Sequence, residues 1–200
     1  MLSARRFYEQ LLQNLISMES SVSRPGTSSH LRLFCLKAMG VKVSAPVWVA
    51  QNTCLINPHK LTLGQRVNIG EGSKIVCHAP IVIGDDFSSS CGLYINSGSH
   101  DLNTLAPLLS TIEIGNRVWC GMRVTICSGV SIGDDVVIGA GAVVTKSIPS
   151  GYLAYGIPAK PIRKLERTDI DGLWSTFNHD TTLWEKISGK AGLFKETLGK

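Results

Sequence analysis

The stretch INSGSHDLNTL, residues 95–105, sets an imidazole, His100, beside a carboxylate, Asp101, with Asn103 two positions on. An imidazole titrates near neutral pH and is the ordinary general base for drawing a proton from a hydroxyl. Asp101 by itself reads as a solvated loop carboxylate, because adjacent loop side chains need not face each other. Taken alone, a loop histidine is more often a polar surface residue than a base. Of the five histidines, His59 and His78 read as corner residues of a repeat, and His30 and His179 lie outside it. No metal site is expected from their spacing. The six cysteines form no CxxC pair and no framework spacing, so they read as buried or half-buried free thiols in a reducing compartment. That compartment is taken as the cytoplasm.

The elements that must carry His100 show in a rhythm on both sides of it. From residue 114 the chain reads IGNRVW CGMRVT ICSGVS IGDDVV IGAGAV VTKSIP. Ile114, Cys120, Ile126, Ile132, Ile138 and Val144 recur every six residues, and Val118, Val124, Val130, Val136, Ala142 and Ile148 follow four positions later. A fixed six-residue period is the mark of a parallel β-helix, an all-β solenoid with three hexads to each triangular coil. Glycines at the second position, such as Gly115, Gly121, Gly133 and Gly139, are expected to permit tight corners. Upstream, Val43, Val49 and Leu55 make one coil, Leu63, Ile69 and Ile75 a second, and Ile83, Ser89 and Ile95 a third. The period predicts five to six coils, with an extra pair of residues at one corner of each early coil. Between Ile95 and Ile114 it predicts an extruded loop over 99–112, with His100 on it. Residues 101–113 are expected to wall a pocket beside it.

The flanks are different. Residues 4–20 and 29–39 carry helical apolar spacing, with the linker SVSRPGTSS between them. A solenoid needs its open end covered, so the second helix is expected to cap the first coil. After Val144 the rhythm fades into KSIPSGYLAYGIPAKPIRKL, and the final residues show only a weak helical pattern. The net charge of +5 is mild and lies largely near the ends, which suits an anionic ligand better than nucleic acid. No apolar run is long enough to span a membrane, and the start lacks a signal-peptide layout.

The repeats, GSHD, VVTKSIP and YGIPAKPIRKL together resemble the hexapeptide-repeat acyltransferases over residues 31–165. Within them the chain is most similar to the sugar O-acetyltransferase branch, and there to the colanic acid and exopolysaccharide biosynthesis enzymes. The resemblance implies a left-handed β-helix, residues 41–150, between an N-terminal helical segment and cap, 1–40, and a CoA-contacting tail with a helical extension, 151–200. It also implies a homotrimer with active sites between subunits, acetyl-CoA as cosubstrate, and a carbohydrate hydroxyl as acceptor.

Residue by residue, the resemblance assigns His100 as the general base, with Asp101, Asn103 and Trp119 near the acceptor. It places an oxyanion-binding backbone N–H near Gly121 and Met122. Ala140, Thr145 and Lys146 match positions that hold the pantetheine arm, and Lys160 and Arg163 match the cations for the phosphates. Three departures stand out. Gly156-Ile157-Pro158 replaces a common Gly-Asn-Pro, Lys160 stands where Arg is common, and Gly72 replaces a substrate-site asparagine. The last makes galactoside or maltose a less fitting acceptor. Alternatives are a serine-type small-molecule acetyltransferase, whose large helical domain the short N-terminal region does not match, and a non-catalytic trimeric β-helix scaffold. A carbonic-anhydrase-type zinc enzyme of the same fold would need histidine spacing that is missing around His100.

Overall fold

A computed structural model describes residues 8–15, 29–44 and 46–166 of the chain. The six-residue rhythm becomes a left-handed parallel β-solenoid of about six turns. The first coil holds β1 (Lys42–Val43), β2 (Val47–Val49) and β3 (Cys54–Ile56). The second holds β4 (Leu61–Leu63), β5 (Val67–Ile69) and β6 (Lys74–Val76), and the third β7 (Ile81–Ile83), β8 (Ser88–Ser89) and β9 (Tyr94–Asn96).

A hairpin of β10 (Gly98–His100) and β11 (Pro107–Leu109) follows. The rhythm then resumes with β12 (Ile112–Ile114), β13 (Trp119–Cys120) and β14 (Thr125–Ile126). The fifth coil holds β15 (Ser131–Ile132), β16 (Val137–Ile138) and β17 (Val143–Val144), and β18 (Tyr152–Gly156) and β19 (Ala159–Lys164) close the described chain.

Each hexad stacks on its counterpart. The first face runs β1-β4-β7-β12-β15, the second β2-β5-β8-β13-β16-β18-β19, and the third β3-β6-β9-β14-β17. Pairing is parallel throughout the coils, with Leu63 opposite Ile83, Ile83 opposite Ile114 and Ile114 opposite Ile132. The inward column is therefore a file of like side chains. Ile69, Ile75, Ile95, Cys120, Ile126, Ile138 and Val144 are fully buried, and so are Val118, Val124, Val136 and Ala142 from the fifth positions. Burying each such aliphatic side chain contributes roughly 1.5–3 kcal/mol, which fixes the register against slippage. The rhythm does not stop at Val144. Ile148 bridges to Ile132, and β18 pairs in parallel with β16, so a shortened sixth coil completes the upper end of the expected five to six.

The hexad glycines serve a purpose other than the expected one. None of Gly64, Gly84, Gly115 or Gly133 has positive φ; the left-handed residues at this corner are Arg66, Asp86, Arg117, Asp135 and Gly151. A Cβ on Gly84 would stand 2.6 Å from Asn116 Oδ1, and one on Gly115 2.4 Å from Asp134 Oδ1. Glycine is required because successive coils come too close for a side chain.

The first coil's end is covered. Helix α1 spans residues 8–15, and α2 is Ser29–Ala38. Cys35, Leu36 and Met39 are buried against the core, and the guanidinium of the fully buried Arg32 lies 3.7 Å over the Trp48 ring. From α1, Gln13 Nε2 donates to Leu55 O at 2.8 Å, and Gln13 Oε1 accepts from Leu55 N–H at 3.1 Å. One side-chain amide thus imitates the missing strand beside β3, the edge of the third face. The rest of the expected first helix, the linker and residues beyond 166 lie outside the described residues. No helix among the described residues is long and apolar enough to cross a membrane.

The cysteines are all free, and burial pushes the thiols of Cys77 and Cys120 up to about 12. Cys91 departs from the expected burial and is exposed.

Candidate active site

The corner between the third and first faces admits extra residues. It holds a short 3-10 turn, Pro58–Lys60, after the first coil, the segment 77–80 after the second, and the hairpin after the third. The hairpin's base is locked to the coil below. Ser97 is fully buried; its Oγ accepts from Ala79 N–H at 2.8 Å and donates to Ala79 O at 2.8 Å. A Cβ on Gly98 would meet the His78 ring at 2.5 Å, so only glycine lets the chain leave over that imidazole. The segment ends one residue earlier than the period suggests, because Ile112 already belongs to β12 and is buried.

Beyond Gly98 the hairpin satisfies itself. Gly98 pairs with Leu109, Ser99 with Leu108 and His100 with Pro107. Asp101 N–H donates to Ala106 O at 2.9 Å, and Leu105 N–H donates back to Asp101 O at 2.9 Å. Asp101 Oδ1 accepts from Thr104 N–H at 2.8 Å, Thr104 Oγ1 at 2.9 Å and Asn103 N–H at 3.0 Å. These bonds, Thr104's backbone N–H foremost, hold the Asp101 carboxyl below its usual range. His100 Nδ1 lies 2.9 Å from Leu105 O. A carbonyl only accepts, so Nδ1 carries a proton, and in the neutral ring Nε2 keeps its lone pair. The His100 side chain is exposed.

The other expected site residues fall elsewhere. Trp119 projects from the second face and is 38% exposed. Gly121, Met122 and Ala140 lie together at the corner between the second and third faces, where a Cβ on Gly121 would stand 2.6 Å from Ala140 N. Gly121 N–H is committed to Ile138 O at 2.8 Å, which removes it as an oxyanion donor. Thr145 and Lys146 are exposed on the hairpin's own corner, two coils further on. Lys160 and Arg163 are exposed on β19, opposite Tyr155 and Leu153 of β18. One chain therefore gathers His100, Asp101 and Asn103 on one corner and Gly121, Met122 and Ala140 on another, with the third face between them. Among the described residues no group of three or more His, Cys, Asp or Glu could hold a metal ion.

Two participants escaped the sequence reading. Thr104 was readable in principle, since Asp-x-x-Thr is the pattern of a side chain capping a turn. The Leu105 carbonyl was not, because a backbone group leaves no residue-type signal.

A left-handed solenoid interrupted by a hairpin is an architecture shared with known acetyltransferases. Residues 111–146 match the family model of bacterial transferase hexapeptide, six repeats. The WcaF protein of Escherichia coli (strain K12), assigned by its name to colanic acid biosynthesis as an acetyltransferase, is 32% identical over 140 residues. That match covers 69% of this chain and 77% of WcaF. A maltose O-acetyltransferase from Clostridium difficile 630 superposes with TM-score 0.70 at 28% identity, covering 82% of this chain and 87% of that one. A galactoside acetyltransferase in complex with coenzyme A superposes with TM-score 0.67 at 28% identity, covering 83% and 84%. The chain belongs to the hexapeptide-repeat acetyltransferase family, whose members include the sugar O-acetyltransferases.

Proposed function

We propose that this enzyme moves an acetyl group from acetyl-CoA to a hydroxyl of a sugar or polysaccharide precursor, with His100 as general base. The observation that carries the reading is the Nδ1–H of His100 donating to Leu105 O, which leaves an exposed ring nitrogen with a lone pair. His100 Nε2 takes the acceptor's proton as its oxygen attacks the thioester carbonyl. The tetrahedral oxyanion is met by a backbone N–H, a role that falls to Met122 once Gly121 is excluded. Collapse breaks the C–S bond, and the imidazolium returns its proton to the departing thiolate. No acyl-enzyme is required, since the donor is already activated.

The split of the residues over two corners supports a site shared between subunits of a homotrimer. The hairpin's exposed Leu102, Leu105, Leu108 and Leu109 suit burial against a neighbouring copy. Trp119 and Asn103 would border the acceptor, while Asp101 Oδ1 is taken up by the turn. Ala140, Thr145 and Lys146 are exposed where a pantetheine arm can pair with backbone, and Lys160 and Arg163 offer cations to the phosphates. An enzyme that draws on acetyl-CoA belongs in the cytoplasm.

His100→Ala is expected to abolish acetyl transfer in a thiol-release assay over a panel of glycan acceptors, with trimer and CoA binding retained. Turnover surviving that change overturns the base. Co-assembly of His100→Ala with Met122→Pro, which removes the backbone N–H assigned to the oxyanion, is expected to restore part of the activity. No restoration in mixed trimers removes the shared site.

A further inference from the structure

We infer that Asp101 is a positioning residue, which fixes the tautomer and aim of the His100 imidazole through the hairpin turn rather than by touching substrate. The inference rests on the reading of His100 as the base. What orients the ring is not a side chain but the carbonyl of Leu105, five residues on, at 2.9 Å from Nδ1. That carbonyl points back only because Leu105 sits at φ 58, a left-handed conformation that a leucine keeps when its surroundings impose it.

The imposing contacts converge on one oxygen. Asp101 Oδ1 accepts from the N–H groups of Asn103 and Thr104 and from Thr104 Oγ1. Thr104 Oγ1 in turn accepts from Ala106 N–H at 3.3 Å, so the Asp101 side chain reaches both neighbours of Leu105. With Oδ1 gone, three donors lose their acceptor, and Leu105 is free to leave the left-handed region. Its carbonyl then leaves Nδ1, and the ring takes either tautomer. A share of the imidazoles would present an N–H where the acceptor hydroxyl needs a lone pair, and the rest would lose their aim at it. Asparagine keeps an equivalent Oδ1 and should serve nearly as well, because the turn uses an acceptor and not a charge.

The test compares Asp101→Asn, Asp101→Ala and Thr104→Val by steady-state kinetics and by nitrogen NMR of the His100 ring in the full-length enzyme. Asp101→Asn is expected to keep kcat within about threefold and the Nδ1–H tautomer. Asp101→Ala is expected to lose about 100-fold in kcat with KM little changed and the thermal midpoint unmoved, as its imidazole becomes a tautomer mixture. Thr104→Val should fall between them. Asp101→Ala with unaltered tautomer and kcat overturns the inference. So does Asp101→Asn losing as much as Asp101→Ala with a raised KM, the signature of a substrate-binding carboxylate. If His100→Ala keeps its turnover while Asp101→Ala still scrambles the tautomer, the base reading falls and the hold of Asp101 on the ring stands.

Discussion

Two corners of one prism solve the same problem in opposite ways. Between the first and second faces each coil turns with the same few residues and hands its polar groups to the coil before it. Asp85 Oδ1 accepts from Gln65 N–H at 2.8 Å, Asn116 Oδ1 from Asp85 N–H at 2.8 Å, Asp134 Oδ1 from Asn116 N–H at 2.6 Å, and Ser150 Oγ from Asp134 N–H at 3.0 Å. Beside this ladder Arg66 pairs with Asp86 and Arg117 with Asp135, each through two nitrogens at 2.6–2.8 Å. Those pairs raise the arginine pKa values, chiefly through the side-chain hydrogen bonds.

Between the third and first faces the chain instead inserts residues, and at the hairpin nearly every polar group is satisfied inside the insertion. A corner bonded to its neighbours cannot change without disturbing the stack. One that bonds to itself can carry an exposed imidazole and four exposed leucines while the solenoid runs on beneath it.

The contrast predicts that chemistry and stability separate by corner. The widest gap is expected at His100→Ala, which lowers turnover by about 10²–10⁴-fold with no change in the thermal midpoint, read by assay and calorimetry together. Gly115→Ala should do the reverse. Its new Cβ meets the next coil's backbone at 2.8 Å, so stability falls by roughly 1–3 kcal/mol in urea unfolding while kcat of the folded enzyme holds. Asp134→Ala removes one rung of the ladder and should cost about 1 kcal/mol by the same measurement. Asp135→Asn, which removes the charge from a part-buried ion pair and still suits the left-handed backbone there, should cost only about 0.2–1 kcal/mol, less in high salt.

The smallest effect is a titration. The depressed pKa of Asp101 means its support of the turn is complete above the ordinary aspartate value and is lost as pH falls through the lower, folded one. The amide signals of Asn103 and Thr104 should therefore shift with a midpoint below that of an ordinary aspartate. A midpoint at or above it removes the cap.

Much of this was legible in the residues because a period survives translation into space. Ile83, Ile114 and Ile132 align in one column although the hairpin separates the first two in sequence, since only inward apolar residues can sit there. The hairpin was legible by default, as the place where the period fails. The β18 strand of the sixth coil was not, because Ala154 stands among Pro and Gly residues that erase the pattern without erasing the pairing. The reason for the hexad glycines was hidden too: closeness between coils is a distance between residues far apart in the chain.

Sequence alone determined the solenoid, its coil count and the loop that delivers His100, because burial of one side chain in six is a local, repeated demand. Tertiary structure decided which groups are at liberty to act. It committed the Gly121 N–H to the stack, spent Asp101 Oδ1 on the turn, and turned the Leu105 carbonyl onto Nδ1. Hydrogen bonds of this kind depend on where the backbone goes, and a row of residue types does not record it.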